Sequence, residues 1–153
     1  MKNLFFLTII SLIIFLDQIT KIIIRNMLLI GETWPENWSL LHFSHIENTG
    51  AAFGIMTNMN AFLLVFSFIL ISSLIIYKFK ANVIKKVEII PLALVIGGGT
   101  GNIIDRIIFG SVTDFIDPIY YPAFNVADSS IVIGISIYIV TTLISGIKND
   151  KTS

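Results

Sequence analysis

The sequence predicts an all-α membrane protein of four transmembrane helices, with a small extracytoplasmic β or loop element between helices 1 and 2. Three observations carry that expectation. The 153 residues are 55% hydrophobic, with a mean hydropathy of +0.88. Only 13% are charged, against roughly a quarter in an ordinary soluble domain. Four apolar runs each reach the roughly 20 residues that a helix needs to cross the hydrocarbon core. A soluble chain this small keeps too large a share of its surface in water to hide so many apolar side chains.

The runs cover about 4–24, 59–77, 87–108 and 125–147, within a single domain of residues 1–153. None alternates polar and apolar residues as the strands of a membrane barrel do. The first run follows Lys2, as an export signal would. It meets Asp17-Gln18 where a cleavage site would need small residues, then turns apolar again at Ile22-Ile23-Ile24, so a retained span is expected. Lys78, Lys80, Lys85 and Lys86 crowd the second link, Lys2 precedes the first run, and Lys148 and Lys151 follow the fourth. Basic residues favour the cytoplasmic side, so both termini and that link are expected there.

The outer side then carries two longer connections, 25–58 and 109–124. Strand-like composition runs from Trp38 to Ile46, and β-branched and aromatic residues suit a pleated, half-buried surface. Trp34, Trp38, Tyr120 and Tyr121 are expected to anchor at the outer interface. Gly31, Pro35 and the length of the first connection suggest a lid. His42 and His45, the only histidines, read as polar residues of an exposed loop.

Several function classes drop out. Zero formal net charge offers no basic field for nucleic acid. Without cysteine there is no thiolate nucleophile or disulfide, and without an HExxH-type spacing a histidine-held zinc is not expected. Ser129 and Ser130 lack a GxSxG elbow and a histidine base. No metal or organic cofactor is implied.

Ionisable residues at membrane depth are expensive and tend to mark function. Here Asp17, Lys21, Asp105, Arg106, Asp114, Asp117 and Asp128 all fall toward the outer ends of the spans or in the second outer connection. Asp17 and Lys21 lie four apart in the order that favours an ion pair. Mutual neutralisation is the preferred reading for that pair and for Asp105-Arg106. Asn102 shares a helix face with Asp105 and Arg106, and Asn125 lies three before Asp128 where a helix start favours an anion. Gly97 and Gly101, with Gly98 and Gly99 between them, form a small-residue face for close helix packing. Asp114 and Asp128 remain after the ion pairs are removed, with Asp117 as a rival. Two carboxyls sharing a proton can hydrolyse a peptide. A cation site and a transporter's proton relay stay open, although the paired repeats or midplane acids of a transporter are not found. A non-catalytic scaffold packing through its glycines would need no unpaired acids.

Five segments, read together, resemble the sequence blocks of bacterial lipoprotein signal peptidase (signal peptidase II). They are Asp17-Gln18-Ile19-Thr20-Lys21, the run 48–54 (NTGAAFG), the run 98–106 (GGTGNIIDR), Val112-Thr113-Asp114-Phe115-Ile116 and Phe124-Asn125-Val126-Ala127-Asp128. The resemblance covers nearly the whole chain and implies an aspartyl endopeptidase. Its substrate would be a prolipoprotein carrying diacylglycerol on the lipobox cysteine, cut on the N-terminal side of that cysteine. It assigns catalysis to Asp114 and Asp128, and makes Asp117 a loop residue before Pro118. Supporting roles map to Asp17, Lys21, Asn48, Gly50, Asn102, Asp105, Arg106 and Asn125. Asn48, Asn102 and Asn125 are expected to line the substrate cleft, and Arg106 to bind backbone or lipid carbonyls unless Asp105 neutralises it. Glu47 departs from the pattern, since a basic residue often precedes the asparagine of that block. The expected setting is a monomer in the bacterial plasma membrane, in contact with lipid, with its site near the extracytoplasmic face.

Overall fold

The structure is a computed structural model that describes residues 2–36, 40–50, 57–80 and 86–150. Trp38, Lys85, Lys151 and positions 51–54 of the second sequence block lie outside them. Four long helices account for the apolar runs: α1 (Lys2–Met27), α2 (Asn60–Lys80), α3 (Ile89–Phe109) and α4 (Val126–Asp150). A short 3₁₀ turn, Lys86–Glu88, leads into α3. Each helix holds an apolar stretch long enough to cross a membrane, and the chain is a multi-pass membrane protein. Asp17 and Lys21 do not break α1, because both charges are buried against partners.

Helix α3 is the centre of the bundle. Half of its apolar stretch is buried, against 11% to 17% in the other three helices. Its glycines explain how three neighbours crowd around it. A methyl group added at Gly97 would meet Ile13 of α1, and one at Gly101 would lie 2.6 Å from Asp17 Oδ2. At Gly98 it would overlap the Ala127 carbonyl of α4, and at Gly99 the Ile71 side chain of α2. In lipid no hydrophobic drive holds helices together, so close backbone approach has to do it. Gly98→Ala is expected to destabilise the fold by about 1–3 kcal/mol, because the overlapped atom is backbone and cannot swing away. Thermal unfolding in detergent checks this. The core beside the glycines is Phe6, Ile71, Ile89, Ala93, Ile96 and Ile103. Leu4, Phe15, Phe66, Phe68, Val132 and Leu143 face outward, as a lipid-exposed surface requires.

A three-stranded antiparallel sheet caps one end of the bundle: β1 (Thr33–Trp34), β2 (Leu41–Asn48) and β3 (Val112–Pro118), in the order β1-β2-β3. The expected β element after the first helix is present as β1 and β2. The connection between α3 and α4 supplies its third strand, a long-range pairing that strand-like composition in one loop cannot reveal. Gly110, left-handed with φ 75°, ends α3 and lets the chain turn at once into β3. A register shift between Phe43 and Ile46 leaves Ile46 opposite Asp114 and Asn48 opposite Val112. Side chains alternate along a strand, so Asn48 and Asp114 emerge on the same face as diagonal neighbours.

Two expectations change. Asp117 lies in β3 opposite His42 and accepts a hydrogen bond from Ser44 Oγ at 2.7 Å, so it is a strand residue with a partner. His45 is buried in β2, with Nδ1 2.9 Å from the Leu28 carbonyl at the end of α1. Gly31 and Pro35 flank β1, and Gly31 N–H donates to the His45 carbonyl at 2.8 Å. That edge is thus hydrogen-bonded to the sheet.

Candidate active site

Asp114 arrives on β3 and Asp128 on the first turn of α4, and both line one cavity of about 230 Å³. Asn48, Gly50, Asn102 and Arg106 line it too, with Tyr121 and Phe124 on the apolar side. Tyr121, expected among the interfacial aromatics, thus faces the cavity.

Asn125 lies behind the two acids. It is the cap of α4: its Oδ1 accepts the Asp128 N–H at 2.9 Å, while Asp128 Oδ2 accepts the Asn125 N–H at 3.3 Å. This reciprocal pair is a capping box with aspartate in the acidic position. Asn125 Nδ2 then donates to Asp114 Oδ1 at 2.8 Å, so one fully buried amide touches both acids. The sequence placed Asn125 in the cleft lining. The structure puts it underneath, because a side chain folded back onto its own helix start cannot also face the opening.

The remaining amides complete the frame. Asn48 Nδ2 donates to Asp114 Oδ2 at 2.9 Å, and its Oδ1 accepts the Gly50 N–H. Asn102 Nδ2 donates to Asp128 Oδ1 at 2.7 Å, and its Oδ1 accepts from Lys21 Nζ at 3.1 Å. In each case a donor on the oxygen side fixes which way the amide points. All four carboxyl oxygens of Asp114 and Asp128 therefore receive an N–H.

A second layer of charge sits deeper. Lys21 Nζ pairs with Asp17 at 2.8 Å and Asp105 at 3.2 Å, with all three side chains fully buried. Asp105 also takes Arg25 at 2.8 Å. The Asp17-Lys21 pair is as expected, but Asp105 does not pair with Arg106. Consecutive helix residues point about 100° apart, so Asp105 faces α1 while Arg106 faces the cavity. Arg106 Nη2 donates to the Gly50 carbonyl at 3.2 Å, and its buried Nε finds no acceptor among the described residues. Glu47 is exposed on β2 opposite Thr113.

Sequence reasoning missed Arg25, Gln18 and Thr113. Arg25 Nε donates to Thr113 Oγ1 at 2.8 Å, and its guanidinium lies over the Phe109 ring at 3.9 Å. Gln18 Nε2 bridges Asp17 and Asp105. The signal for Arg25 was present: Asp17, Lys21 and Arg25 form a stripe at intervals of four on one face of α1.

The charges of this buried set nearly balance. Asp17, Asp105, Asp114 and Asp128 face Lys21, Arg25 and Arg106. Four acids against three bases leave one negative charge in excess, and a single bound proton removes it. In a poorly hydrated site that neutral state is favoured. Burial, and after it the charge of Asp128, pushes the Asp114 carboxyl up to about 7, despite the hydrogen bonds from Asn48 and Asn125 that pull the other way. The arrangement can therefore hold a proton on one acid beside a second acid at neutral pH. No group of His, Cys, Asp and Glu among the described residues is arranged to hold a metal ion.

The family model for signal peptidase (SPase) II matches residues 9–144. A lipoprotein signal peptidase of Halothermothrix orenii is 37% identical over 86% of this chain and 90% of its own length. One from Shouchella clausii is 40% identical over 93% of this chain and 94% of its own. Two solved structures described as bacterial membrane enzymes superpose with TM-scores of 0.82 and 0.78, both at 32% identity and over 90% of this chain. They cover 87% and 92% of those chains. With sequence and fold agreeing over almost the full length, the chain belongs to the signal peptidase II family.

Proposed function

We propose that this protein is a membrane aspartyl endopeptidase that removes signal peptides from diacylglyceryl-modified prolipoproteins, cutting N-terminal to the lipidated cysteine. Asp114 and Asp128 are its catalytic pair. The observation that carries this reading is the Asn125 amide and backbone joining both acids at the floor of one cavity. The pair shares one proton and titrates as a unit. The ionised carboxyl takes a proton from water as the water oxygen attacks the scissile carbonyl carbon. The protonated carboxyl donates to the carbonyl oxygen. As the tetrahedral intermediate collapses, the C–N bond breaks, the departing cysteine amine receives a proton, and the signal peptide leaves as a carboxylate. The Arg106 side chain lines the cavity and brings a positive charge to the substrate.

Orientation follows from the charge pattern. Lys78 Nζ lies 3.3 Å from Asn3 Oδ1, so the start of α1 and the end of α2 share one end of the bundle, opposite the sheet and the acids. Lys78, Lys80 and Lys86 favour the cytoplasm at that end. The site then sits at the outer face of the plasma membrane, where a lipid-anchored precursor presents its scissile bond. Asn48, Asn102, Arg106, Asp114 and Asp128 lie around one cavity of this chain, which supports a single catalytic domain.

The test is cleavage of a diacylglyceryl-modified lipobox precursor by the protein in detergent, with mass spectrometry of the new N-terminus. The expected product begins at the lipidated cysteine. A cut elsewhere, or equal turnover of the unlipidated precursor, would overturn the assignment. The pH profile carries a second expectation. Asp114 holds its proton below about pH 7 and loses it above. kcat/KM therefore falls as pH rises through about 7, approaching tenfold per unit. A rate that keeps rising from pH 7 to 9 would contradict the protonated role.

A further inference from the structure

We propose that Lys21 is a positioning residue that sets the separation of the two catalytic acids. The ammonium has three N–H donors, and the structure gives each an acceptor: Asp17, Asp105 and the Asn102 side-chain oxygen, at 2.8, 3.2 and 3.1 Å. Each acceptor in turn holds a catalytic acid or the residue just before one. Asp17 Oδ1 accepts the backbone N–H of Ala127 at 2.9 Å, and Ala127 immediately precedes Asp128. Asp105 Oδ2 accepts the backbone N–H of Thr113 at 3.0 Å, and Thr113 immediately precedes Asp114. Asn102 donates to the Asp128 carboxyl itself.

The symmetry matters because the acids arrive on unrelated elements. Asp114 belongs to a strand and Asp128 to a helix, and β3 is tied chiefly to the sheet. A carboxylate from α1 holds the main chain before one acid, and a carboxylate from α3 holds the main chain before the other. Lys21 joins the two carboxylates. Charge neutralisation alone would not require the Asn102 contact, nor that both backbone N–H groups lie next to a reacting residue. The positive charge also faces the pair, partly offsetting the burial and the Asp128 charge that raise Asp114.

The inference rests on the assignment of Asp114 and Asp128 as the reacting acids, and the experiment separates the two. Steady-state kinetics are measured on Lys21→Met, Asn102→Ala and the double variant with the lipidated precursor. Rates are referred to protein that elutes folded from gel filtration. Lys21→Met is expected to lower kcat by about 10²-fold, the scale of a displacement near 1 Å, while KM stays within about threefold. Its upper pH limb moves to higher pH, because a positive charge facing Asp114 is lost. Adding Asn102→Ala to Lys21→Met is expected to cost less than Asn102→Ala alone, since the two act through one contact. Wild-type kcat and pH limb in folded Lys21→Met, or losses that simply multiply, overturn the inference.

Should Lys21→Met fail to fold, Asp17→Asn is read in its place. It keeps an oxygen for the Ala127 N–H and weakens the links of the other oxygen to Lys21 and Gln18, with an expected kcat loss of about tenfold. Wild-type kcat there overturns the inference as well. Failure of the underlying assignment looks different: Asp114→Asn or Asp128→Asn would then turn over the precursor.

Discussion

Asp114→Asn and Asp128→Asn each lower cleavage of the lipidated precursor by about 10³-fold or more, because neither amide can pass a proton between water, carbonyl and leaving amine. The folded structure survives both changes, and for Asp114 loss of the buried charge outweighs the one N–H donor, from Asn48 or Asn125, that then faces the new NH2 group. An aspartate whose carboxyl rises from its ordinary 3.8 to about 7 on folding binds its proton more tightly in the native state. The ionised group is then a liability that grows from about pH 4 to pH 7, at about 1.4 kcal/mol for each unit, and stays constant above. Asp114→Asn is therefore expected to unfold at a higher temperature than the wild type at pH 8. The difference should shrink as pH falls, and near pH 4 the variant should be no more stable than the wild type, since its NH2 group still faces a donor. Thermal scans in detergent at pH 8 and 4, beside the precursor-cleavage assay, read both halves. Full turnover by either variant ends the dyad assignment, and a less stable Asp114→Asn at pH 8 refutes the burial argument.

The largest effect on the fold itself is expected at Asp105. Its carboxylate is fully buried and serves Lys21, Arg25, Gln18 and the Thr113 N–H together. Asp105→Leu removes the acid and strands a buried ammonium with one counter-ion. It also leaves the Thr113 N–H, one residue from Asp114, without its acceptor. Breaking a buried pair from one side typically costs about 3–5 kcal/mol, and Arg25, part-exposed, recovers some of that by turning to water. A loss of about 3 kcal/mol or more in unfolding free energy is expected. Asp105→Asn keeps an acceptor for Thr113 and should cost clearly less. Equal losses for the two variants would mean that the hydrogen bond to β3 contributes nothing.

Much of this was visible in the order of residues. The spans follow from apolar run length, and the observed helices run one to three residues past their expected C-terminal ends, because composition does not mark where a helix stops. The depth of the polar cluster followed from where Asp17, Lys21, Asp105 and Asp128 fall along their runs. The resemblance brought Asp114 and Asp128 forward, and the structure places them in one cavity. Partner choice was harder to see. Asp105 and Arg106 are neighbours in sequence and so suggest a pair, yet helix geometry sends them to different faces. The partner of Asp105 is on α1, more than eighty positions away, and only folding reveals it. The third strand was hidden for a related reason. Val112–Pro118 contains two aspartates and a proline, a composition that argues against a strand, and β2 recruits it by long-range pairing. Asn125 reads as a helix start, but nothing in the sequence says that its amide spans both acids.

The run of glycines in α3 has a mechanical consequence. Gly97, Gly98 and Gly99 touch three different helices in three successive positions, and Gly101 returns to the first. The bundle is thus keyed to a single rotational phase of its central rod. Inserting or deleting one residue above that run would turn everything beyond it by about 100°. Each glycine past the insertion would then present its gap to the wrong neighbour, and Asn102 would swing away from Asp128. Length in α3 is held as tightly as composition, and the helix behaves like a key whose notches fit only one angle.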